Sequence, residues 1–255
     1  MKRILTALAL LPLVLYVVLW GPPWSFFAVL TTVALICYYE YAGIAAAYGF
    51  GSLGPLGYGA GLWLLLLGEE ALLMLTLLVL CALALSLRLD DLAKALPRAS
   101  LLLAGVVYVF GCWRYAVLLR NISHYWLLFA MALSWVGDIA AYYIGRSLGR
   151  HRLAPRVSPK KSWEGSAASV AASVLFGWLF LRWTLPQVPV WHAIPLAAAG
   201  NVAGQLGDLV ESAIKRGAGV KDSGTILPGH GGFLDRVDST LFALPVVYLY
   251  LRLVG

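Results

Sequence analysis

Long apolar runs alternate with short polar stretches along almost the whole 255-residue chain. A membrane-spanning helix needs about 20 predominantly apolar residues, and nine runs approach that length. The predicted spans cover residues 4–20, 25–47, 52–68, 71–87, 100–119, 124–145, 165–183, 190–214 and 239–253. The third is short and rich in glycine, so a count of eight stays open. The pattern predicts an all-α, polytopic transmembrane protein of about nine spans.

The distribution of lysine and arginine gives these spans an orientation. Cytoplasmic loops of membrane proteins are enriched in both residues. Nine spans with a cytoplasmic N-terminus leave all but four of the 19 basic residues on the cytoplasmic side, whereas removing one span scatters them. The four exceptions are Arg114, Arg120, Arg182 and Arg252. The first apolar run lacks a small-residue cleavage site, so we interpret it as a retained helix rather than a signal peptide.

Composition supports a membrane protein and excludes two other classes. Apolar residues make up 61% of the chain and charged residues only 12%, whereas soluble domains carry about 25% charged residues. The mean hydropathy is +0.83. The net charge of +7 comes from short basic clusters between spans, which suit anionic membrane lipids. These clusters do not form the broad basic surface that nucleic-acid binding needs, so we expect no nucleic-acid partner.

Polar chemistry is concentrated in the second half of the chain. Residues 1–120 form a nearly pure hydrophobic scaffold, whereas residues 121–255 bring charged residues, glycine and asparagine into both spans and loops. The three cysteines lie in apolar runs and have no metal-ligand spacing, so we interpret them as buried apolar residues. We predict one membrane domain with a functional C-terminal half.

The eighth predicted span carries a polar stripe. Steps of four, three, four and three residues bring its members, Asn201, Gln205, Asp208, Ser212 and Lys215, onto one helix face. An ionisable residue at the bilayer centre costs about 2.5–3.5 kcal/mol on insertion scales. The stripe, and Asp138 in the sixth span, therefore indicate function. One alternative is a helix–helix contact whose polar groups bond to one another; we favour a water-filled cavity open to the cytoplasm.

The segment after this helix alternates basic and acidic residues among glycines. Backbone N–H groups of glycine-rich loops can approach an anion closely, and lysine or arginine makes charge-assisted contacts with phosphate. Mg²⁺ is usually held by one or two carboxylates together with substrate phosphates. The segment therefore predicts a site for a metal–polyphosphate complex, with a solvated loop as the alternative. Its charged residues are Lys215, Arg216, Lys221, Asp222, Asp235, Arg236 and Asp238.

Another predicted cytoplasmic loop, residues 157–165, is also basic. Lys160 and Lys161 precede Ser162 and Glu164 at the start of the seventh span. The loop can serve as a basic and aromatic anchor at the membrane interface. The alternative is that both lysines contact the same phosphates while Ser162 and Glu164 cap the helix.

Three stretches of the sequence resemble one family. The run from Ser212 through Asp238 resembles the C-terminal motif of the phosphatidate cytidylyltransferases, or CDP-diacylglycerol synthases. The loop from Ser158 to Gly165 is similar to the family's second motif, where threonine is more usual than Ser162 and the hydroxyl is kept. Asp138 also has a counterpart. The resemblance covers roughly residues 130–240.

This resemblance implies a reaction and a location. CTP, or dCTP, and phosphatidic acid would give CDP-diacylglycerol and pyrophosphate, with Mg²⁺ required and a second cation left open. The expected location is a bacterial inner (plasma) membrane, with the active site facing the cytoplasm. The oligomeric state is open, and a homodimer is one option. No protein nucleophile is required, because the lipid phosphate itself attacks.

The polar residues then take predicted roles, and the acidic ones are expected to converge on a divalent cation that holds the triphosphate. The predicted catalytic residues are Asp208, Asp235, Lys215, Arg236 and Lys221. The predicted substrate-binding residues are Asn201, Gln205, Ser212, Arg216, Lys160, Lys161, His230, Gly231 and Gly232; His230 is expected to orient its loop rather than act as a base. The predicted metal ligands are Asp208, Asp235, Asp238, Asp222 and Asp138.

Two other functions compete with this hypothesis. An ion-coupled transporter also carries charges within its spans, but its polar groups should continue through the bilayer, and the first five spans offer no such path. A related CTP-dependent lipid transferase or kinase would share the nucleotide site and differ in its lipid pocket. A non-enzymatic scaffold does not explain the alternation of carboxylates and basic residues.

Overall fold

The computed structural model describes residues 12–51, 53–66, 70–226 and 231–254. The described residues form two compact units. The first contains those up to Arg114 together with Ile214–Arg236. The second contains Tyr115–Ala213 and those from Val237 onward.

The first unit is built from apolar helices. They are α1 (Pro23–Ala45), α2 (Pro55–Leu66), α3 (Ala71–Ser86), α4 (Ala95–Gly105) and the start of α5 (Cys112–Ile122). A proline begins α1, where its fixed φ suits the first helical turn. π-Helical turns at Ala46–Phe50 and Val106–Gly111 extend α1 and α4, and a 3-10 turn at Leu92–Lys94 precedes α4.

Aromatic side chains form much of the core of the first unit. Tyr38 and Phe110 are fully buried, and their ring centroids lie 5.3 Å apart. The ring of Tyr58 meets that of Tyr38 edge-on at 4.8 Å. Such geometries add about 0.5–1.5 kcal/mol per pair to the burial of the rings. The core therefore joins α1, α2 and the π-helical turn that follows α4.

Four further helices and a hairpin follow along the described chain. The helices are α6 (His124–Leu148), α7 (Trp163–Thr184), α8 (Val190–Gly217) and α9 (Leu234–Val254). The last residues of α8 and the first of α9 belong to the first unit, and the remainder of both helices to the second. Strands β1 (Arg152–Ala154) and β2 (Ser158–Ser162) pair antiparallel, with Arg152 opposite Ser162.

The hairpin leads directly into α7. The Ser162 hydroxyl accepts the amide of Gly165 at 3.1 Å, which satisfies one unpaired N–H of the first turn, so the predicted capping role of Ser162 is confirmed. The Glu164 carboxylate accepts the amides of Arg150 and His151 at 3.1 and 3.2 Å, and thereby ties the start of the hairpin to the helix. The sequence predicted only a loop for this stretch.

Five described helices are long and apolar enough to cross a membrane: Pro23–Phe50, Leu92–Ile122, His124–Leu148, Trp163–Thr184 and Leu234–Val254. Helices α2 and α3, with 12 and 16 residues, extend roughly 18 and 24 Å, less than the hydrocarbon core of about 30 Å. Residues 4–11 of the first predicted span lie outside the described residues. The chain is thus a predominantly helical integral membrane protein, and the count of nine spans stays a prediction.

Candidate active site

A cavity of about 650 Å³ lies in the second unit. It is bounded by α6, the hairpin, the start of α7 and the middle of α8. Its charged and amide-bearing lining residues are Asp138, Arg146, Arg152, Lys160, Lys161, Gln205 and Asp208. One concave surface therefore offers cationic groups for phosphate and carboxylates for a metal ion. The structure brings together five predicted site residues here: Asp138, Lys160, Lys161, Gln205 and Asp208.

An ion pair joins the hairpin to α8 within this cavity. Lys161 Nζ, on β2, lies 2.5 Å from Asp208 Oδ2. The Ser212 hydroxyl, one turn further along α8, donates to Asp208 Oδ1 at 3.3 Å. The side chains of Lys161 and Asp208 are 28% and 31% exposed, so both charges remain accessible to a ligand.

The buried end of the polar stripe is occupied by contacts between helices. Asn201 is only 2% exposed. Its Nδ2 donates to the hydroxyls of Ser169 and Ser173 on α7 at 3.0 and 2.9 Å and approaches the carbonyl of Leu133 on α6 at 3.4 Å. For Asn201, this geometry matches the alternative in which the polar groups bond to one another, and its predicted substrate contact stays a prediction.

Gln205 connects this buried network to the cavity. Its Nε2 donates to Asn201 Oδ1 at 2.7 Å and to the carbonyl of Ser166 at 3.2 Å, and its Oε1 accepts the Ser166 hydroxyl at 2.5 Å. The side chain also lines the cavity. The amide is therefore held in a fixed orientation at the cavity wall, which suits a group that positions a ligand.

A second lysine–aspartate pair lies in the first unit. Lys215, in the last turn of α8, is paired with Asp235, in the first turn of α9. Their side chains are 9% and 7% exposed. The Asp235 carboxylate also accepts the amides of Ser223 and Gly232 at 3.0 and 2.9 Å. Asp235 is therefore firmly oriented by a cation and by two backbone donors.

Four further charged residues predicted in this segment lie at the surface. Lys221, Asp222, Arg216 and Arg236 are exposed. The Arg216 guanidinium donates to the Val220 carbonyl at 3.3 Å. His230 lies outside the described residues.

Two glycines and one aspartate complete the set of predicted site residues. Gly231 has a positive φ of 82°, a conformation that glycine adopts without strain, and Gly232 is buried. Asp238, in the second unit, is 7% exposed, and its Oδ1 accepts the amide of Ser239 at 2.6 Å. Its exposure is far lower than that of Asp208, so access to Asp238 is the more restricted.

The carboxylates of both units are chemically suited to Mg²⁺, which prefers oxygen ligands. Among the residues that the structure describes, no three His, Cys, Asp or Glu side chains are grouped as a metal cage. Mg²⁺ commonly binds through one or two carboxylates together with substrate phosphates and water. The donor set therefore fits a cation that arrives with a polyphosphate, and the predicted ligand set stays a prediction.

Sequence reasoning missed several polar residues. Glu40 lies within the second predicted span and is 2% exposed; the rule that ionisable residues in spans indicate function could have identified it. Ser166, Ser169 and Ser173 follow a helical spacing of three and four residues along α7, a second polar stripe that the same reasoning could have matched to α8. For Arg146 and Arg152, nothing in the sequence other than their charge indicates that they line the cavity.

The sequence matches the model of a known family along nearly its whole length. Residues 1–254 match the family model described as the Cytidylyltransferase family. A phosphatidate cytidylyltransferase of Bacillus subtilis (strain 168) is 40% identical over 152 residues, which are 58% of this chain and 56% of that protein. One from Staphylococcus saprophyticus is 39% identical over 153 residues, or 60% and 59% of the two chains.

A third similarity extends further. A phosphatidate cytidylyltransferase of Staphylococcus aureus (strain COL) is 35% identical over 192 residues, which are 75% of this chain and 72% of that protein. The alignments with the first two relatives cover less than two thirds of those proteins, whereas this alignment and the family model exceed that share. The chain therefore belongs to the cytidylyltransferase family.

Proposed function

We propose that this protein is a phosphatidate cytidylyltransferase that makes CDP-diacylglycerol. Its family, and its similarity to bacterial phosphatidate cytidylyltransferases, support that activity. The observation that carries the proposal is the Lys161–Asp208 pair, which lies inside a cavity lined by further basic groups. Such a cavity suits a triphosphate and a phosphate monoester better than it suits a neutral substrate.

The reaction exchanges one phosphoanhydride for another. A phosphate oxygen of phosphatidate attacks the α-phosphorus of CTP or dCTP, the bond from that phosphorus to the bridging oxygen of the β-phosphate breaks, and pyrophosphate leaves. The lipid phosphate is already anionic near neutral pH, so the protein needs neither a nucleophile nor a strong general base. Catalysis by the protein then consists of positioning and of charge neutralisation.

Mg²⁺ is the proposed cofactor, with a second cation left open. The residues that would hold it are Asp208 and Asp235 in the first place, and Asp238, Asp222 and Asp138 after them. When bound, the metal ion supplies positive charge to the phosphate oxygens.

The side chains of this protein supply the rest of the charge. Each leading carboxylate is paired with a lysine, Asp208 with Lys161 and Asp235 with Lys215. Each pair thus combines an anion suited to a cation with an ammonium group suited to phosphate oxygens. Further proposed phosphate contacts come from Lys160, Arg216, Lys221 and Arg236. Ser212, Gln205 and the glycines near His230 would orient the substrates.

The proposed setting is a bacterial inner membrane, crossed nine times, with the N-terminus and the active site on the cytoplasmic side. The distribution of basic residues supports this topology. It also suits the substrates, since CTP is cytoplasmic and phosphatidate reaches the site laterally from the bilayer. A homodimer is the proposed assembly to test first.

One assay tests the activity and distinguishes it from its rivals. Purified protein in detergent is incubated with CTP, phosphatidate and Mg²⁺, and the products are separated. We expect equimolar pyrophosphate and CDP-diacylglycerol. Release of CDP with a phosphorylated lipid alcohol would instead identify a CTP-dependent kinase. No turnover of CTP with any lipid, in protein that elutes as a folded species, would contradict the proposal.

A further inference from the structure

A buried carboxylate of α1 contacts Ser223, within the loop between α8 and α9, and the residues where α9 begins. Glu40 lies in a candidate membrane span, flanked by two tyrosines, and is only 2% exposed. A charged side chain in such a position costs about 2.5–3.5 kcal/mol on insertion scales unless polar partners compensate. The partners of Glu40 are 183 to 194 residues away in sequence, so these contacts form only when the tertiary structure forms.

Three donors converge on the two oxygens of this carboxylate. The Phe233 amide donates to Oε1 at 2.9 Å, and the Leu234 amide and the Ser223 hydroxyl donate to Oε2 at 2.7 and 3.0 Å. Leu234 is the first residue of α9, where backbone N–H groups have no partner within the helix. Glu40 therefore caps α9 from another helix while it also holds Ser223, within the loop between α8 and α9.

Ser223 connects Glu40 to Asp235. Its hydroxyl donates to Glu40 and accepts the Asp235 amide at 3.3 Å, while its own amide donates to the Asp235 carboxylate at 3.0 Å. Asp235 in turn is paired with Lys215. Four residues, from α1, α8, α9 and the loop between α8 and α9, thus form one hydrogen-bonded set: Glu40, Lys215, Asp235 and Ser223.

Two glycines give this set the space it occupies. A Cβ atom on Gly224 would lie 2.5 Å from Glu40 Oε1. A Cβ atom on Gly232 would lie 1.9 Å from the Ser223 hydroxyl and 2.6 Å from Glu40 Oε2. All three distances are far shorter than a carbon–oxygen van der Waals contact. The backbone at Gly224 and Gly232 therefore lies directly against the Glu40 carboxylate. A larger residue at either position would force the backbone and the carboxylate apart.

We propose that Glu40 is a positioning residue for the reaction: its carboxylate fixes Ser223 and the start of α9, and so holds Asp235 and Lys215 in their working arrangement. Glu40 acts through these residues and needs no contact with a substrate. The kinetic part of this inference rests on the proposed cytidylyl transfer. Its structural part, the ordering of the backbone around Asp235, does not.

The test uses the isosteric substitution Glu40→Gln, which replaces one acceptor oxygen by a donor that faces other donors. We expect the purified protein to elute as a folded species and kcat to fall at least about tenfold, the equivalent of the net energy of a typical hydrogen bond. Hydrogen–deuterium exchange should accelerate in peptides covering Gly231–Asp238, and not in the β1–β2 hairpin. Glu70→Gln, the same substitution at an exposed position, is the matched control and should match the wild type in both measurements.

Two further variants keep the test decisive. Ser223→Ala should reproduce the faster hydrogen–deuterium exchange even if Glu40→Gln fails to fold. In the double variant, Glu40→Gln with Ser223→Ala, the loss of kcat should not exceed that of Glu40→Gln alone. Both residues belong to the same hydrogen-bonded set, so their effects should not add. Unchanged kcat per folded molecule, or unchanged exchange at Gly231–Asp238, would overturn the proposal. If wild-type protein transfers no cytidylyl group, the proposed function fails, and the exchange measurement still decides the role of Glu40.

Discussion

The two lysine–aspartate pairs differ in their exposure to solvent, and this difference predicts different roles. Lys161 and Asp208 are 28% and 31% exposed, whereas Lys215 and Asp235 are 9% and 7% exposed. A pair that stays in partial contact with solvent is expected to contribute less to stability than a buried one, and a fully exposed pair contributes about 0–1 kcal/mol. Removing one partner of a buried pair leaves an uncompensated charge and costs about 3–5 kcal/mol.

Matched substitutions of the two lysines should separate activity from stability. Lys161→Met should reduce cytidylyl transfer at least tenfold, since a charge-assisted hydrogen bond is worth about 1.5–3 kcal/mol, while the melting temperature in detergent stays near that of the wild type. Lys215→Met should reduce activity and also lower the melting temperature by several degrees. Equal melting temperatures for the two variants would contradict the assignment of the buried pair.

Asp208 provides the direct test of the proposed metal site. Asp208→Asn keeps the volume of the side chain and removes its charge, so we expect turnover to fall by about two orders of magnitude or more, as for loss of a group that stabilises charge in the transition state. A higher Mg²⁺ concentration should restore part of the activity. The exposed Asp90 gives the matched control, Asp90→Asn, with normal turnover. Near-normal turnover of Asp208→Asn would refute a metal role.

At the scale of elements, the contact between α7 and α8 is the part of the site that sequence reasoning described least well. The polar stripe of α8 was predicted from its spacing. Its hydrogen bonds from Asn201 to Ser169 and Ser173 on α7 were not predicted. A stripe identifies a polar helix face, whereas the packing of one helix on another decides what that face contacts. Glu40 shows the same limit, because its partners lie in a distant part of the sequence.

Local signals predicted other features well. The helices from α6 to α9 overlap the last four predicted spans, because long apolar runs have few alternatives to a helix in lipid, and the cap at Ser162 followed from its position before a helix. The β1–β2 hairpin was missed because the run from Arg152 to Ser162 has no alternation of apolar and polar residues. The residues just before β1 are instead bound to the start of α7 by Glu164, which accepts the amides of Arg150 and His151.

The double variant Ser169→Ala with Ser173→Ala tests whether Asn201 serves structure or substrate. Hydrogen bonds between membrane helices average about 0.6 kcal/mol. The two hydroxyls bond Asn201 on α8, and that of Ser173 also donates to the Leu133 carbonyl on α6, so their removal should lower the melting temperature by a few degrees. The KM for CTP should not change. Ser147→Ala is the control, since that exposed hydroxyl donates to carbonyls of its own helix, Tyr143 and Ile144. An increased KM with unchanged melting temperature would instead favour the predicted substrate contact of Asn201.

For the whole molecule, the decisive property is the side of the membrane on which each unit's polar groups lie. The hairpin that carries Lys160 and Lys161 and the segment from Lys215 to Arg236 must both face the cytoplasm if CTP is the substrate. The excess of basic residues in these stretches favours that side. The turn between α7 and α8 is then expected on the opposite side, because α7 is long and apolar enough to cross the membrane.

Labelling of single cysteines tests this topology. In a background where Cys37, Cys81 and Cys112 are replaced by alanine, the exposed positions Arg156 and Gln187 are changed separately to cysteine. When the outer envelope of the cells is permeabilised and the inner membrane is intact, a membrane-impermeant maleimide should label Gln187→Cys. The same reagent should label Arg156→Cys only after the inner membrane is disrupted. Each variant should retain cytidylyl transfer, which verifies that the labelled protein is folded. Labelling of Arg156→Cys from outside would place the hairpin lysines away from CTP, and the proposed orientation would be wrong.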